Sequence, residues 1–304
     1  MMDLLSPKEV LERGLSYVNV RWKDRKLENN QVTFHANYGT SAGDLAEMWY
    51  DLCHTNIPEA LLEQKEVSTS GFKAFLRAHF FLWTYPKNSE LFAAHFGVSE
   101  KYCRGKYIWK WVERIAAMKH NKIALDASIQ SPNTEKFALT TDGVDFGAWE
   151  VKHATEPKDT GFFTYKHGRC GFKYLIALSV FHSKCAFLDG PFRGGENDLN
   201  MFRNELKAKI PEGKLVIVDR GFESGQDPTE KAILATPNPC DSKALAKFKS
   251  RARCRHETFN GRIKKFASMS QTFCHGMNKH KHAFVAVCVI IQYQLDNGGT
   301  LFAV

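Results

Sequence analysis

The stretch FKYLIALSVFHSKCAFLDGPFRGGENDLNMFRNELKAKIPEGKLVIVD, residues 172–219, decides the fold. It opens on an apolar run, FKYLIALSVF (172–181), and a second, KCAFL (184–188), follows after His182 and Ser183. Two strand-like runs with so short a break predict an antiparallel hairpin. NDLNMFRNELKAKI (197–210) places Leu199, Phe202 and Leu206 on one side of a helix. KLVIV (214–218) is a nearly continuous β-branched run, the pattern of a strand buried on both faces, and it ends at Asp219. Upstream, KFALTTD (136–142) predicts a short strand ending in Asp142. Strand, strand, strand, helix, strand is the order of an α/β core.

The chain around this core has 304 residues, 43% hydrophobic, enough for one or two domains. Basic residues outnumber acidic ones by 42 to 33, a net charge of +9, which points to an anionic partner, nucleic acid before membrane. Eight cysteines contain no CxxC pair, so a zinc site or disulfide framework is not indicated, and reduced, mostly buried thiols are expected. Cys254 and His256 form the nearest thing to a ligand pair, and nothing partners them. HGMNKHKH, with His275, His280 and His282, reads as a solvated loop. The N-terminus MMDLLSPKEVLERG is charged too early for a secretory signal. AFVAVCVII (283–291) is too short to span a bilayer and predicts a buried helix from about 282 to 295 in a soluble protein.

The first third of the chain carries an internal repeat. At an offset of 58, Phe34 pairs with Phe92, Ala36 with Ala94, Tyr38 with Phe96, Gly39 with Gly97, Ser41 with Ser99 and Trp49 with Tyr107. Each copy reads as a helix end, a turn at glycine and a serine N-cap opening a second helix, the outline of a helix-turn-helix unit. An ordinary helical hairpin gives the same pattern. In the second copy Cys103, Tyr107, Trp111 and Ile115 share a helical stripe. The second helix of the first copy carries Asp44, Glu47 and Asp51, which repel phosphate; that of the second carries Lys101, Arg104, Lys106 and Lys110, which attract it. The division expected is 1–65 and 66–122, each with one such unit, followed by a catalytic domain over 123–304.

KFKSRARCRHETFNGRIKK (247–265) holds a single acid, Glu257, among Lys249, Arg251, Arg253, Arg255, Arg262 and Lys264. Leu245, Phe248, Ala252, Phe259, Ile263 and Phe266 recur at helical spacing, with Asp241 or Ser242 as the cap. Glu257 falls on another face, with Arg253, Asn260 and Lys264. Ends of adjacent α/β strands lie close together, and a helix packed on that edge can bring a third acid to Asp142 and Asp219. Such a trio supplies hard oxygen ligands for Mg²⁺ or Mn²⁺, and the cations around Glu257 suit DNA phosphates.

On these residues the chain resembles the DDE transposases of the PIF/Harbinger superfamily. The motifs are TTDGVDF with Asp142, GPFRGGENDLNMF with Asp198, VIVDRGF with Asp219 and RARCRHETFNGRIKKF with Glu257, and the likeness runs from about residue 70 to the closing NGGTLF. The resemblance implies a ribonuclease-H-like catalytic core behind a helical, helix-turn-helix-like N-terminal region. It implies cleavage at transposon ends, then strand transfer, by two Mg²⁺ or Mn²⁺ ions held by Asp142, Asp219 and Glu257, with Asp198 and Asn260 in support. It also implies double-stranded DNA as partner, a Myb-like DNA-binding protein beside it, a homo-oligomer joining two ends, and a nuclear location. Asp145 and Asp126 remain alternatives to Asp142. A transposase-derived DNA-binding protein without catalysis is the competing reading. A phosphatase with an aspartyl nucleophile fits less well, because its acids would stand two apart, not three as in DGVDF.

Overall fold

The computed structural model describes residues 5–60, 62–100, 107–125, 129, 136–149, 160–223 and 225–304. The chain divides into two units. One is Met1–Lys122 with Lys264–Gln271 and His282–Asn297; the other is Ile123–Ile263 with Thr272–Lys281 and Gly298–Val304.

The first unit is helical: Pro7–Tyr17, Leu27–Tyr38, Ala42–His54, Thr69–Thr84, Ser89–His95 and Ile108–Ala117 lead the chain. The two turn glycines of the sequence repeat share a left-handed backbone. Leu27–Tyr38 ends at Gly39, left-handed at φ 71°, and Ser41 caps Ala42–His54 by accepting from Asp44 N. At the matching place Ser89–His95 leads to Gly97 at φ 62°. Lys101, Cys103, Arg104 and Lys106 lie outside the described residues, as does Asp126. The expected split between 1–65 and 66–122 is replaced by one unit, because a shared aromatic core crosses that line. The Trp49 ring lies 5.1 Å from Phe72, 5.4 Å from Phe75 and 5.7 Å from Trp111.

The acids of Ala42–His54 are not a phosphate-repelling surface. Asp44 is buried and accepts from Thr40 Oγ1 and Ser41 Oγ. Glu47 holds Lys122, and Asp51 accepts from the Tyr293 hydroxyl at 2.5 Å.

The second unit is built on a mixed sheet: β1 Phe137–Gly147, β2 Phe163–Thr164, β3 Arg169–Ser179, β4 Cys185–Arg193, β5 Leu215–Ile217 and β6 Leu234–Ala235. Its path is β2-β3-β1-β5-β6, with β4 also on β3. β1, β3 and β4 are antiparallel neighbours, whereas β5 runs parallel to β1 and β6 parallel to β5. The hairpin, the helix after it and the buried strand follow the expected order. β1 differs: it continues five residues past Asp142, because Val144 and Phe146 are buried and pair with Tyr174 and Phe172.

Each face of this sheet is covered. Leu199, Met201, Phe202 and Leu206 pack with Leu139, Leu175 and Val216 in one cluster. Their segment is α-helical over Asp198–Met201, π over Phe202–Leu206 and 3₁₀ over Lys207–Lys209. Ala252 and Phe248, from the helix Lys243–Ile263, pack with Val180 and Ile217 in the other. Of the two cap candidates, Ser242 accepts from Leu245 N, while Asp241 pairs with Lys249.

The last helix, Met277–Asp296, starts earlier than expected and takes in His280 and His282. His280 is no solvated loop residue: it is fully buried, with Nδ1 2.7 Å from the Tyr174 hydroxyl and its ring between Phe172 and Phe273. Fewer thiols are buried than expected: among the described residues Cys185 and Cys288 are buried, Cys53 and Cys170 half-buried, and Cys240, Cys254 and Cys274 exposed. Among the described residues no helix is long and apolar enough to cross a membrane.

Candidate active site

Asp142 stands in the middle of β1, opposite Ile176 of β3. On its other side β1 meets β5 in parallel, with Thr140 beside Ile217. Asp142 and Asp219 each lie two residues beyond that pair, so adjacent parallel strands bring them to one level. Asp219 caps the short turn Arg220–Phe222 by accepting from Gly221 N at 2.8 Å, which fixes its rotamer at the strand's end.

Glu257 arrives on the helix Lys243–Ile263, which is pinned to β1 by its neighbour. His256, buried, has Nε2 2.9 Å from the carbonyl oxygen of Thr140, two residues before Asp142. Burial holds this imidazole down at about 4, so the ring is neutral and Nε2–H donates to the carbonyl. One residue on, about 100° around the helix, Glu257 is exposed while His256 points inward.

Asp198 enters from the other side. Its Oδ1 lies against the Cα of Gly143, where any Cβ would overlap it. Lys173, on β3, reaches Asp198 at 3.3 Å and Asp145 at 3.9 Å and donates to Glu196 O.

The four acids meet in the electrostatics of Asp142. Burial pushes its carboxyl up to about 7, and the charges of Asp198, Asp219 and Glu257 push in the same direction. Asp145 is not among the main causes of that shift; its charge acts on Asp198. It sits opposite Lys173 in the register and, three residues along the strand, faces the other way. Asp142 is thus the acid that shares a field with Asp219 and Glu257.

Residues 142–292 match the DDE superfamily endonuclease family. The matched segment begins at Asp142 and contains Asp198, Asp219 and Glu257. It points to a transposase-like nuclease, a family that acts on DNA. No curated protein and no solved structure matches the chain.

DDE endonucleases as a superfamily use divalent metal ions, and the donor set here fits such an ion in kind. Asp142, Asp219 and Glu257 offer hard oxygens, and the raised proton affinity of Asp142 marks a place where positive charge is lacking. One helical turn beyond Glu257, the Asn260 Oδ1 is buried and accepts no hydrogen bond among the described residues. Among those residues, however, no three acid, His or Cys side chains are gathered around one point.

The basic residues separate into two kinds. Arg253 is half-buried, and Lys264 is exposed. Arg251 donates to Ala303 O at 2.6 Å and Arg262 to Gly299 O at 2.5 Å, so their guanidinium groups hold the last residues of the chain. Lys249 and Arg255 are not phosphate contacts, because both are buried with protein acceptors. Lys249 pairs with Asp241 at 2.8 Å and donates to Thr236 O. Arg255 donates to the carbonyl oxygens of Val180 and His182. In the helical unit, Lys110 is tied to Glu66 at 2.5 Å.

The sequence offers His256 only as a metal-pair candidate with Cys254, and it does not mark Lys173 or Gly143 as site residues. Of the three roles only that of Gly143 carried a signal, the Asp-Gly pair itself, since glycine permits close approach. The bond of His256 to a strand carbonyl 116 residues earlier leaves no trace in spacing.

Proposed function

We propose that the protein is a PIF/Harbinger-type DDE transposase with a ribonuclease-H-like core, cutting and joining DNA phosphodiesters at Asp142, Asp219 and Glu257. The observation that carries this reading is the match of residues 142–292 to the DDE superfamily endonuclease family, with Asp142 and Asp219 at one level on adjacent parallel strands. The order of the sheet supports it too: an antiparallel three-strand meander, a helix, then two parallel strands.

Asp142, Asp219 and Glu257 would hold two Mg²⁺ or Mn²⁺ ions. When bound, these activate the attacking oxygen and stabilise the leaving one. The chain's own residues do the positioning. His256 fixes the helix that presents Glu257, Gly221 N–H orients Asp219, and Lys173 holds Asp198 over Gly143. Arg253 and Lys264 grip the DNA backbone, and Arg251 and Arg262 join them where the terminal residues give way. Work on two transposon ends calls for an oligomer, a Myb-like partner for end recognition, and the nucleus as the place of action.

The test is metal-dependent nicking. Purified protein is incubated with labelled duplex DNA and Mg²⁺ or Mn²⁺, beside the Glu257→Gln variant and an EDTA control. Nicking by the native protein that both controls abolish is the expected result, with DNA binding by the variant unchanged or slightly tighter. The second reading is a DNA-binding protein without catalysis, favoured by the absence of a gathered metal cluster among the described residues. Binding without nicking, with the Myb-like partner present, would establish it.

A further inference from the structure

The helical unit contains a cavity of about 690 Å³ between the start of the helix Thr69–Thr84 and the helix Ile108–Ala117. Four cationic side chains line it, Lys65, Lys73, Arg77 and Lys110, against one lining acid, Glu66, and Lys65 is paired with Glu63 at 2.6 Å, which leaves Lys73 and Arg77 as the excess in the lining. Glu66 is shared between one lining cation and one behind it and does not offset Lys73 and Arg77. Lys110 holds its Oε1 at 2.5 Å, and Arg114, from behind, holds its Oε2 at 2.5 Å. Burial works against ionisation there, but the bonds from Arg114 and Lys110 bring Glu66 down to about 2, so it is spent on two cations at neutral pH.

The wall is built rather than incidental. Arg77 is nine-tenths buried, donates to Phe96 O at 3.3 Å and stacks on the Phe96 ring. Lys73 is half-buried and lies over the Tyr17 ring at 5.0 Å. The helix begins inside the cavity at KEVSTSGFK (65–73), where Ser68 caps Gly71 N and its hydroxyl meets that of Ser70 at 2.9 Å. A Cβ at Gly71 would overlap the carbonyl oxygen of Glu66, so glycine lets this 16-residue helix start hard against the acid. The positive end of the helix therefore faces the same space as the cations.

We propose that this cavity binds phosphate groups. Concentrated cations, two serine hydroxyls and a helix N-terminus suit an anion with several oxygens and more than one negative charge. The volume accommodates linked phosphates, either those of a nucleic-acid backbone or a free phosphoanion. None of these residues lies in 142–292, so the inference stands independently of the nuclease reading.

The probe is inorganic pyrophosphate, titrated calorimetrically into the full chain at an ionic strength held constant with NaCl. Saturable binding with one site and a raised melting temperature are expected. Lys73→Glu should weaken it roughly 10-fold or more, and Lys110→Gln should also weaken it, with circular dichroism confirming that both fold. Lys8→Glu, elsewhere in the unit, should leave it unchanged. A second arm adds a short DNA duplex. Competition with pyrophosphate assigns the site to backbone phosphates, and undiminished binding assigns it to a free phosphoanion. Absence of saturable binding, or equal binding by both pocket variants and the native protein, overturns the proposal.

Discussion

Gly143 shows how one missing atom shapes the candidate site. Its Cα faces Asp198 Oδ1, and Lys173 keeps that carboxylate in place. Gly143→Ala should therefore force Asp198 or β1 to move, at a cost of about 1–3 kcal/mol by urea denaturation. Asp198→Ala in the same chain should recover most of that loss, because it removes the atom the new methyl strikes. A purely additive double mutant would refute the contact. Asp142 beside it gives a pH test. Its folded proton affinity, at about 7, exceeds the unfolded value of 3.8, so between those pH values the folded state holds a proton the unfolded chain has lost. Stability from this group is fully present below about 4 and declines as pH rises through 7. Asp142→Asn should thus stabilise the metal-free protein above pH 7, by up to about 4 kcal/mol, and do little at pH 4. Equal effects at both pH values would contradict the shared field of the four acids.

At the scale of elements, the helix Lys243–Ile263 does two jobs with one residue type, and only half of that division was legible in the sequence. The apolar stripe through Phe248, Ala252, Phe259 and Ile263 identified the packed face, and Glu257 emerged off it. The sequence could not separate arginines that bind carbonyls from those that face solvent, because a guanidinium suits both settings. Arg255, between Ala252 and Phe259, turned inward to the ends of the β3–β4 connection, Val180 and His182. Arg255→Met should leave those carbonyls unpaired and destabilise the protein by about 1–3 kcal/mol per lost acceptor in a melting experiment. Arg253→Gln should leave the melting temperature nearly unchanged, weaken DNA binding evenly across sequences and flatten its salt dependence. A reversed pattern would exchange their roles. The strands were legible for a related reason. Burial on both faces leaves a continuous apolar run, as in KLVIV, but a strand that dips through a polar site, as β1 does at Asp142 and Gly143, looks finished before it is.

For the molecule as a whole, the passage from helices to sheet before KFALTTD was legible in the sequence as a change of texture. The return of Lys264–Gln271 and His282–Asn297 to the helical unit was not, since tertiary packing between distant segments leaves no local pattern. Both units share a vulnerability. His79 in the first, and His256 and His280 in the second, are fully buried, and burial lowers them to about 4, 4 and 3. Each folded value lies below the unfolded 6.5, so the unfolded chain takes up protons that the folded chain refuses. Stability from these groups is fully present above about 6.5 and is lost as pH falls toward 4, at up to about 4 kcal/mol per pH unit for three of them. Asp142 works the other way, but it is one group against three. The melting temperature should therefore fall steeply between pH 6.5 and 5. With Asp142 opposing the three histidines, His280→Phe removes one of two net protons and should make that fall about half as steep, whatever it does to the melting temperature at pH 7, where the loss of the Tyr174 hydrogen bond is felt alone. An unchanged slope in this variant would mean that His280 accepts its proton without unfolding, and that the aromatic cage of Phe146, Phe172 and Phe273 opens to water before the unit melts.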